Sequence, residues 1–241
     1  MIDREIAVQD AVSEDYETIR YVKDYSVTYQ NLWFNNMISL ITQKGLILDN
    51  GCGTGYLAEF LPADDIVGFD ISMGMLSKAK MRLHRLVRGD SQRLPFEDER
   101  FDVIFCRALL HHLPNPYEGI YEMDRVLKKG GEVIVAEPIQ SILSNIPRKL
   151  IKGGGHFSEV HKDFKERTLI EMLRERFIIE DTKYVGYVAY PLLGFPDVVD
   201  PLKYLPFKKS IASFLIHIDQ LISRIPIIKR QSWGIIIRAL K

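Results

Sequence analysis

An α/β fold built on a mostly parallel sheet is what this sequence predicts, and three observations carry that expectation. From about residue 45 onward, short β-rich runs alternate with stretches of helical periodicity. The first run ends in a turn with glycines at 51, 53 and 55. Three successive runs each close on an aspartate, Asp49, Asp70 and Asp90, and open α/β sheets bind ligands beyond the carboxyl ends of their strands.

The elements follow in order. LILDN (46–50) reads as the first strand and YLAEFL (56–61) as the helix it feeds. DIVGFD (65–70) is the second strand, and Ser72 caps a helix whose Met75, Leu76, Ala79 and Leu83 recur at helical spacing. RLVRGD (85–90) and FDVIFCR (101–107) are the third and fourth strands. PYEGIYEMDRVLKKGG (116–131) reads as a helix stopped by paired glycines, and GEVIVAEP (131–138) as the fifth strand. A helix around 144–151, the break KGGGHF, a helix near 163–174 and a strand over 177–188 come next. In the last 55 residues, prolines punctuate an amphipathic helix in which Ile211, Phe214, Leu215, Ile218, Leu221, Ile222 and Ile225 share one face. WGIIIRALK (233–241) closes the chain as a strand.

Bulk composition narrows the partners. The 241 residues suffice for one substantial core, so one domain is expected over 1–241. Its parts are an N-terminal helical lid (1–44), a ligand-binding core (45–138), and substrate-pocket elements with a helical insertion and a closing strand (139–241). Lys plus Arg (32) balance Asp plus Glu (32), which disfavours nucleic acid as a partner. Cys52 and Cys106 form no CxxC pair, which suits a reducing cytoplasm and argues against a disulfide framework or zinc site. The acidic start MIDREIAVQD is unlike a signal peptide, and no window approaches a membrane span.

A strand, a glycine-rich turn and a helix present backbone N–H groups to a ligand without Cβ obstruction. Gly53-Thr54-Gly55-Tyr56-Leu57-Ala58 fits the dinucleotide fingerprint GxGxxG/A, with Asp70 placed for ribose hydroxyls. Asp49 argues otherwise, because a carboxylate beside the glycines repels a pyrophosphate and attracts an ammonium group.

Four ordered motifs, LDNGCGTG (48–55), GFDIS with Met75, Leu76 and Ala79, GDSQRLPFEDERFDVIFCRALLHHLPNP (89–116) and LKKGGEVIVAEP (127–138), resemble the class I S-adenosylmethionine-dependent methyltransferases. The resemblance is closest to the small-molecule enzymes of ubiquinone and menaquinone biosynthesis, and it covers about residues 45–138. It implies a Rossmann-like seven-stranded, mostly parallel sheet with helices on both faces and an antiparallel C-terminal strand. It also implies methyl transfer from S-adenosyl-L-methionine, released as S-adenosyl-L-homocysteine, to a small-molecule and apolar acceptor. By matching position, Gly51, Cys52, Gly53 and Gly55 support the methionine and ribose, with Asp49 facing the amino-acid tail and Asp70 and Ile71 at the ribose. Asp90 and Ser91 meet the adenine, and Cys106 and Arg107 line the methionine portion. Tyr16, Tyr21, Tyr25 and Tyr29 fall on or near one side of an N-terminal helix and pack in the core or, as in similar enzymes, form a lid over the cofactor, to which Tyr21 and Tyr25 are then assigned. Asn50 departs from the family pattern, with a side chain expected to point away from the ligand.

For catalysis the candidate bases are His112 and His161, with His156 and Glu137 as alternatives. His111-His112 lacks metal-ligand spacing, so no metal is expected. Asn115-Pro116-Tyr117 lacks the second proline of the N-P-P-Y motif and reads as a turn before a helix. The alternatives are a non-catalytic S-adenosylmethionine-binding module, a protein or nucleic-acid methyltransferase and, last, a dinucleotide oxidoreductase. The amphipathic helix over 208–225 packs on the sheet or, alternatively, makes peripheral contact with a lipid membrane through neighbouring Lys203, Lys208 and Lys209.

Overall fold

The structure is a computed structural model and describes residues 2–142, 144, 164–194 and 200–241. The expected helix at 144–151, the KGGGHF break, His156 and His161 lie outside the described residues, apart from Ser144.

The N-terminal segment forms α1 (Ile2–Glu17), a π-helical turn (Thr18–Val22) and α2 (Asp24–Ile38). The sheet begins with β1 (Ile47–Asn50), β2 (Ile66–Asp70), β3 (Arg85–Arg88), β4 (Phe101–Arg107) and β5 (Leu127–Gln140). Helices α3 (Met73–Ala79) and α4 (Pro116–Val126) connect β2 to β3 and β4 to β5. Beyond them come the short β6 (Phe164–Lys165), α5 (Glu166–Arg174), β7 (Ile178–Val185), α6 (Tyr190–Leu193), α7 (Lys208–Ile222) and β8 (Gly234–Leu240).

The strands run in the order β3-β2-β1-β4-β5-β8-β7, with β6 pairing the end of β5. The contacts among β1 to β5 are parallel, and β8 inserts antiparallel between β5 and β7. This is the expected Rossmann-like sheet with its antiparallel closing strand. The chain leaves β1 toward β2 and returns on the other side at β4, so the switch point, where such folds open a crevice, lies above β1 and β4.

Side-chain alternation sorts the core into two layers. Ile47, Val103, Phe105, Ile134 and Ile236 face α2 and α7, where Tyr29, Trp33, Met37, Ala212 and Ile216 cover them. Leu48, Ile104, Cys106, Val133 and Ile235 face α4 and α5, represented by Ile120, Met123, Leu169 and Leu173. Both faces being covered explains why all four residues of β1 are buried.

Three local expectations are corrected. The segment after the glycine turn is one turn of 3₁₀ helix (Tyr56–Glu59), because Pro62 follows and disfavours helical backbone at Leu61. Helix α4 ends at Val126, before the paired glycines, because Leu127 is already extended and pairs with Phe101. Gly130 instead takes a left-handed turn (φ 72°) inside the irregular start of β5. In α7 the buried residues are Ala212, Ile216 and Asp219. Ile211 and Leu215 pack partly, whereas Phe214 and Leu221 of the expected apolar face are exposed.

At the start of β8, a Cβ on Gly234 would lie 2.1 Å from the Trp33 ring, so glycine lets α2 seat against the sheet. Gly234→Ala is therefore expected to cost about 1–3 kcal/mol through overpacking, seen as a lowered urea midpoint at constant m-value; an unchanged midpoint contradicts this packing.

Candidate functional site

Asp49, next to last in β1, points to the same sheet face as Ile47, and its side chain enters the crevice. Behind it the chain turns through Gly51, Gly53 and Gly55 with φ of 80°, 53° and 73°, values side chains resist. The turn is tied to β2 twice: the Gly51 and Cys52 N–H groups donate to the Phe69 carbonyl (2.8 and 3.0 Å), and Gly53 N–H donates to Asp70 Oδ2 (2.8 Å). The other Asp70 oxygen accepts from Ser72 N–H (2.9 Å), and Ser72 caps α3. One carboxylate thus joins the turn to the next helix.

At the end of β3, Asp90 Oδ1 accepts from Gln92 N–H (2.9 Å), and Ser91 Oγ donates to Asn50 Oδ1 (2.7 Å). Asn50 points away from the crevice, as expected, and holds Ser91 from behind. Arg107 ends β4 and turns toward α2, donating to Gln30 Oε1 (2.6 Å) and Tyr21 Oη (3.4 Å), with its guanidinium 4.7 Å from the Phe34 ring centroid.

These residues surround one cavity of about 270 Å³. Of the expected site, Asp49, Gly51, Cys52, Gly53, Asp70, Ile71, Asp90, Ser91, Arg107, Tyr21 and His112 line it. Gly55, Cys106 and Tyr25 do not. Gly55 turns toward Leu83 and Ala79, where a Cβ would crowd α3. Cys106 alternates with Arg107 and is buried under α4 on the opposite sheet face. Tyr25 donates to Asp200 Oδ2 (2.7 Å) away from the cavity, because the π-helical turn and the break at Lys23 rotate α2 relative to α1. Tyr29 is likewise core, while Tyr16 faces the cavity.

The N-terminal segment is fastened by polar contacts. Asp10 accepts from Ser72 Oγ (2.5 Å) and Gly74 N–H (3.0 Å), which holds its carboxyl below the usual range. Tyr21 stacks on Tyr56 with centroids 3.7 Å apart, and Arg82 binds both Glu17 and Glu59.

Sequence reasoning missed several lining residues, among them Glu5, Arg20, Gln30, Trp33, His111 and Tyr190. Gln30 and Trp33 are one helical turn apart, a spacing that a search for a second lid face could have used. Behind the wall, fully buried Glu137 accepts from Leu109 N–H (2.9 Å) and Leu110 N–H (2.7 Å) and pairs with His111 Nδ1. His112 Nδ1 lies 3.0 Å from Glu5 Oε1 of the lid.

Burial sets the electrostatics. It pushes Asp49 up to about 7, with Asp70 adding to the rise and Arg107 opposing it. Burial also raises Asp70 against three backbone N–H donors, and it pushes Glu137 up to about 7. The site is therefore poised to receive positive charge. Among the described residues no group of three or more His, Cys, Asp or Glu side chains could hold a metal ion.

An open parallel sheet with a glycine turn and acidic strand ends around one cavity defines a Rossmann-like protein. Residues 48–135 match the family model described as a methyltransferase domain. A demethylmenaquinone methyltransferase of Staphylococcus aureus is 38% identical over 144 residues, covering 55% of this chain and 59% of that protein. The chain spans about three fifths of the length of the curated relatives it matches. Among solved structures, a Thermotoga maritima SAM-dependent methyltransferase, described as a possible histamine N-methyltransferase, superposes with a TM-score of 0.67 at 21% identity, covering 98% and 99% of the two chains. A Haemonchus contortus phosphoethanolamine N-methyltransferase complex with S-adenosylhomocysteine gives 0.62 at 19% identity, covering 96% of this chain and 57% of that one. At these identities the structural likeness shows the fold alone.

The lid contacts yield a direct test. Asp10→Ala removes two hydrogen bonds between α1 and α3, so amide exchange across Ile2–Glu17 should accelerate about tenfold. Unaltered exchange would mean that Asp10 does not fasten α1 to α3.

Proposed function

We propose that this protein is an S-adenosylmethionine-dependent methyltransferase acting on a small, apolar acceptor. The observation that carries the reading is the meeting of Asp49, Asp70 and Asp90 with the glycine turn in one cavity.

The residues present suit this cofactor. A Cβ built on Gly53 meets nothing within 4 Å, so the turn leaves room for a ligand against its backbone. Asp49 would face the cationic amino-acid tail, Asp70 the ribose hydroxyls and Asp90 with Ser91 the adenine edge. S-adenosylmethionine, when bound, supplies an electrophilic methyl group. What the chain adds is alignment and exclusion of water. Trp33, Phe34, Leu109, Leu113, Pro138 and Tyr190 form an apolar wall suited to a small nonpolar acceptor. His112, held by Glu5 and beside His111, is placed to take a proton from that acceptor. His161 keeps its candidacy from sequence only. The demethylmenaquinone methyltransferase relative supports an acceptor of this kind.

Two outcomes follow. In the free protein Asp49 is partly protonated near neutrality. A cationic ligand binds its ionised form, so affinity for S-adenosylmethionine should rise as pH climbs toward about 7, by up to about tenfold per pH unit below that point, and fall again once the ligand's own ammonium loses its proton. Asp49→Asn should flatten the profile at the weak end, and a wild-type profile that is already flat contradicts the assignment. For His112→Gln, kcat on an acceptor whose nucleophile carries a proton should fall about 100-fold while cofactor affinity measured by calorimetry holds; full turnover removes His112 from the reaction.

A further inference from the structure

The chain balances 32 cationic against 32 acidic residues, yet one stretch is sharply unbalanced. Pro201–Arg230 holds Lys203, Lys208, Lys209, Arg224, Lys229 and Arg230. Its single acid, Asp219, is buried and turned inward, where it accepts the N–H groups of Tyr187, Val188 and Ala189 at 2.8, 2.7 and 3.0 Å. Lys209 is paired with Asp24, and Arg230 lies 3.6 Å from Glu166. The charge this stretch itself presents to solvent is all of one sign.

The same surface displays large apolar side chains. Tyr204 is 83% exposed, Phe207 81%, Phe214 63% and Ile227 89%, and Leu221 and Ile225 are exposed as well. Phe207 has φ 55°, a left-handed conformation unfavourable for a bulky residue, and its ring stands outward just before α7. Strain spent on exposing an aromatic ring brings no packing within the fold. Beneath this face, α7 is anchored to the core by Ala212, Ile216 and Asp219, so the helix lies flat with its outer side presented.

We infer that the outer face of α7 and its flanking loops binds anionic lipid at a membrane surface. Aromatic and aliphatic side chains enter the boundary between headgroups and acyl chains, and the surrounding lysines and arginines meet lipid phosphates. A second copy of the chain is a poorer occupant, because two such faces bring like charges together. The face also connects to the cavity: Asp219 fixes the backbone leading into Tyr190, which lines the apolar wall. A protein docked this way holds that wall close to the lipid phase. The inference goes beyond methyl transfer and stands or falls without it.

The test is co-sedimentation of the full chain with phosphatidylcholine vesicles, with and without about a quarter of phosphatidylglycerol. Partitioning should be on the order of tenfold stronger on the anionic vesicles and should weaken with added salt. Phe207→Ser/Phe214→Ser and, separately, Lys203→Glu/Lys208→Glu should each abolish it, with circular dichroism and Tm preserved because all four side chains are peripheral. Three results would overturn the inference: no sedimentation of the wild type with anionic vesicles, folded variants that sediment as the wild type does, or concentration-dependent self-association that Phe207→Ser/Phe214→Ser dissolves.

Discussion

The carboxylate of Asp70 is the joint on which the site depends. It accepts Gly53 N–H with one oxygen and Ser72 N–H with the other, so the turn after β1 and the start of α3 are fixed to the end of β2. Ser72 then donates to Asp10, and the lid helix α1 is held by the same chain of contacts. The turn, the connecting helix and the N-terminal helix are thus referred to one half-buried acid.

Clustering buried carboxylates opposes folding, since each must lose water and Asp49 and Asp70 repel each other. Arg107 opposes that repulsion, and its guanidinium is itself held by Gln30, Tyr21 and Phe34 of the N-terminal segment. The ionised form of Asp49 is therefore favoured by a cation that the N-terminal segment holds in place. Such an arrangement gives a cationic ligand a reason to bind: its charge replaces hydration that the acids have lost. Glu137 offers a contrast, because its oxygens are occupied by Leu109, Leu110 and His111. It shapes the wall and orients His111.

How much could be read from the sequence depended on how local each signal was. The glycine turn and the acids at 49, 70 and 90 are fixed by strand ends, and the structure brings them together. Arg107 and Cys106 were assigned to one wall, although strand alternation sends neighbouring side chains to opposite faces, and Cys106 belongs to the core. Tyr21 and Tyr25 were placed together by helical spacing, which the π-helical turn and the break at Lys23 undo. Glu5 and Tyr190 reach the cavity only through tertiary packing, and nothing in their neighbourhoods marked them. For α7 the periodicity was clear, but it could not tell which side the sheet would cover. The face that was left outside proved informative.

The family-model match covers residues 48–135, while the walls of the cavity also draw on residues outside that segment, among them Trp33, Phe34, Pro138 and Tyr190. The cavity's preference for a cation over a pyrophosphate is the claim on which the functional reading turns. Calorimetric titration of the purified chain with S-adenosylhomocysteine and with NAD decides it. Saturable binding of the homocysteine compound with no heat from NAD is expected, and saturable binding of NAD alone would contradict it.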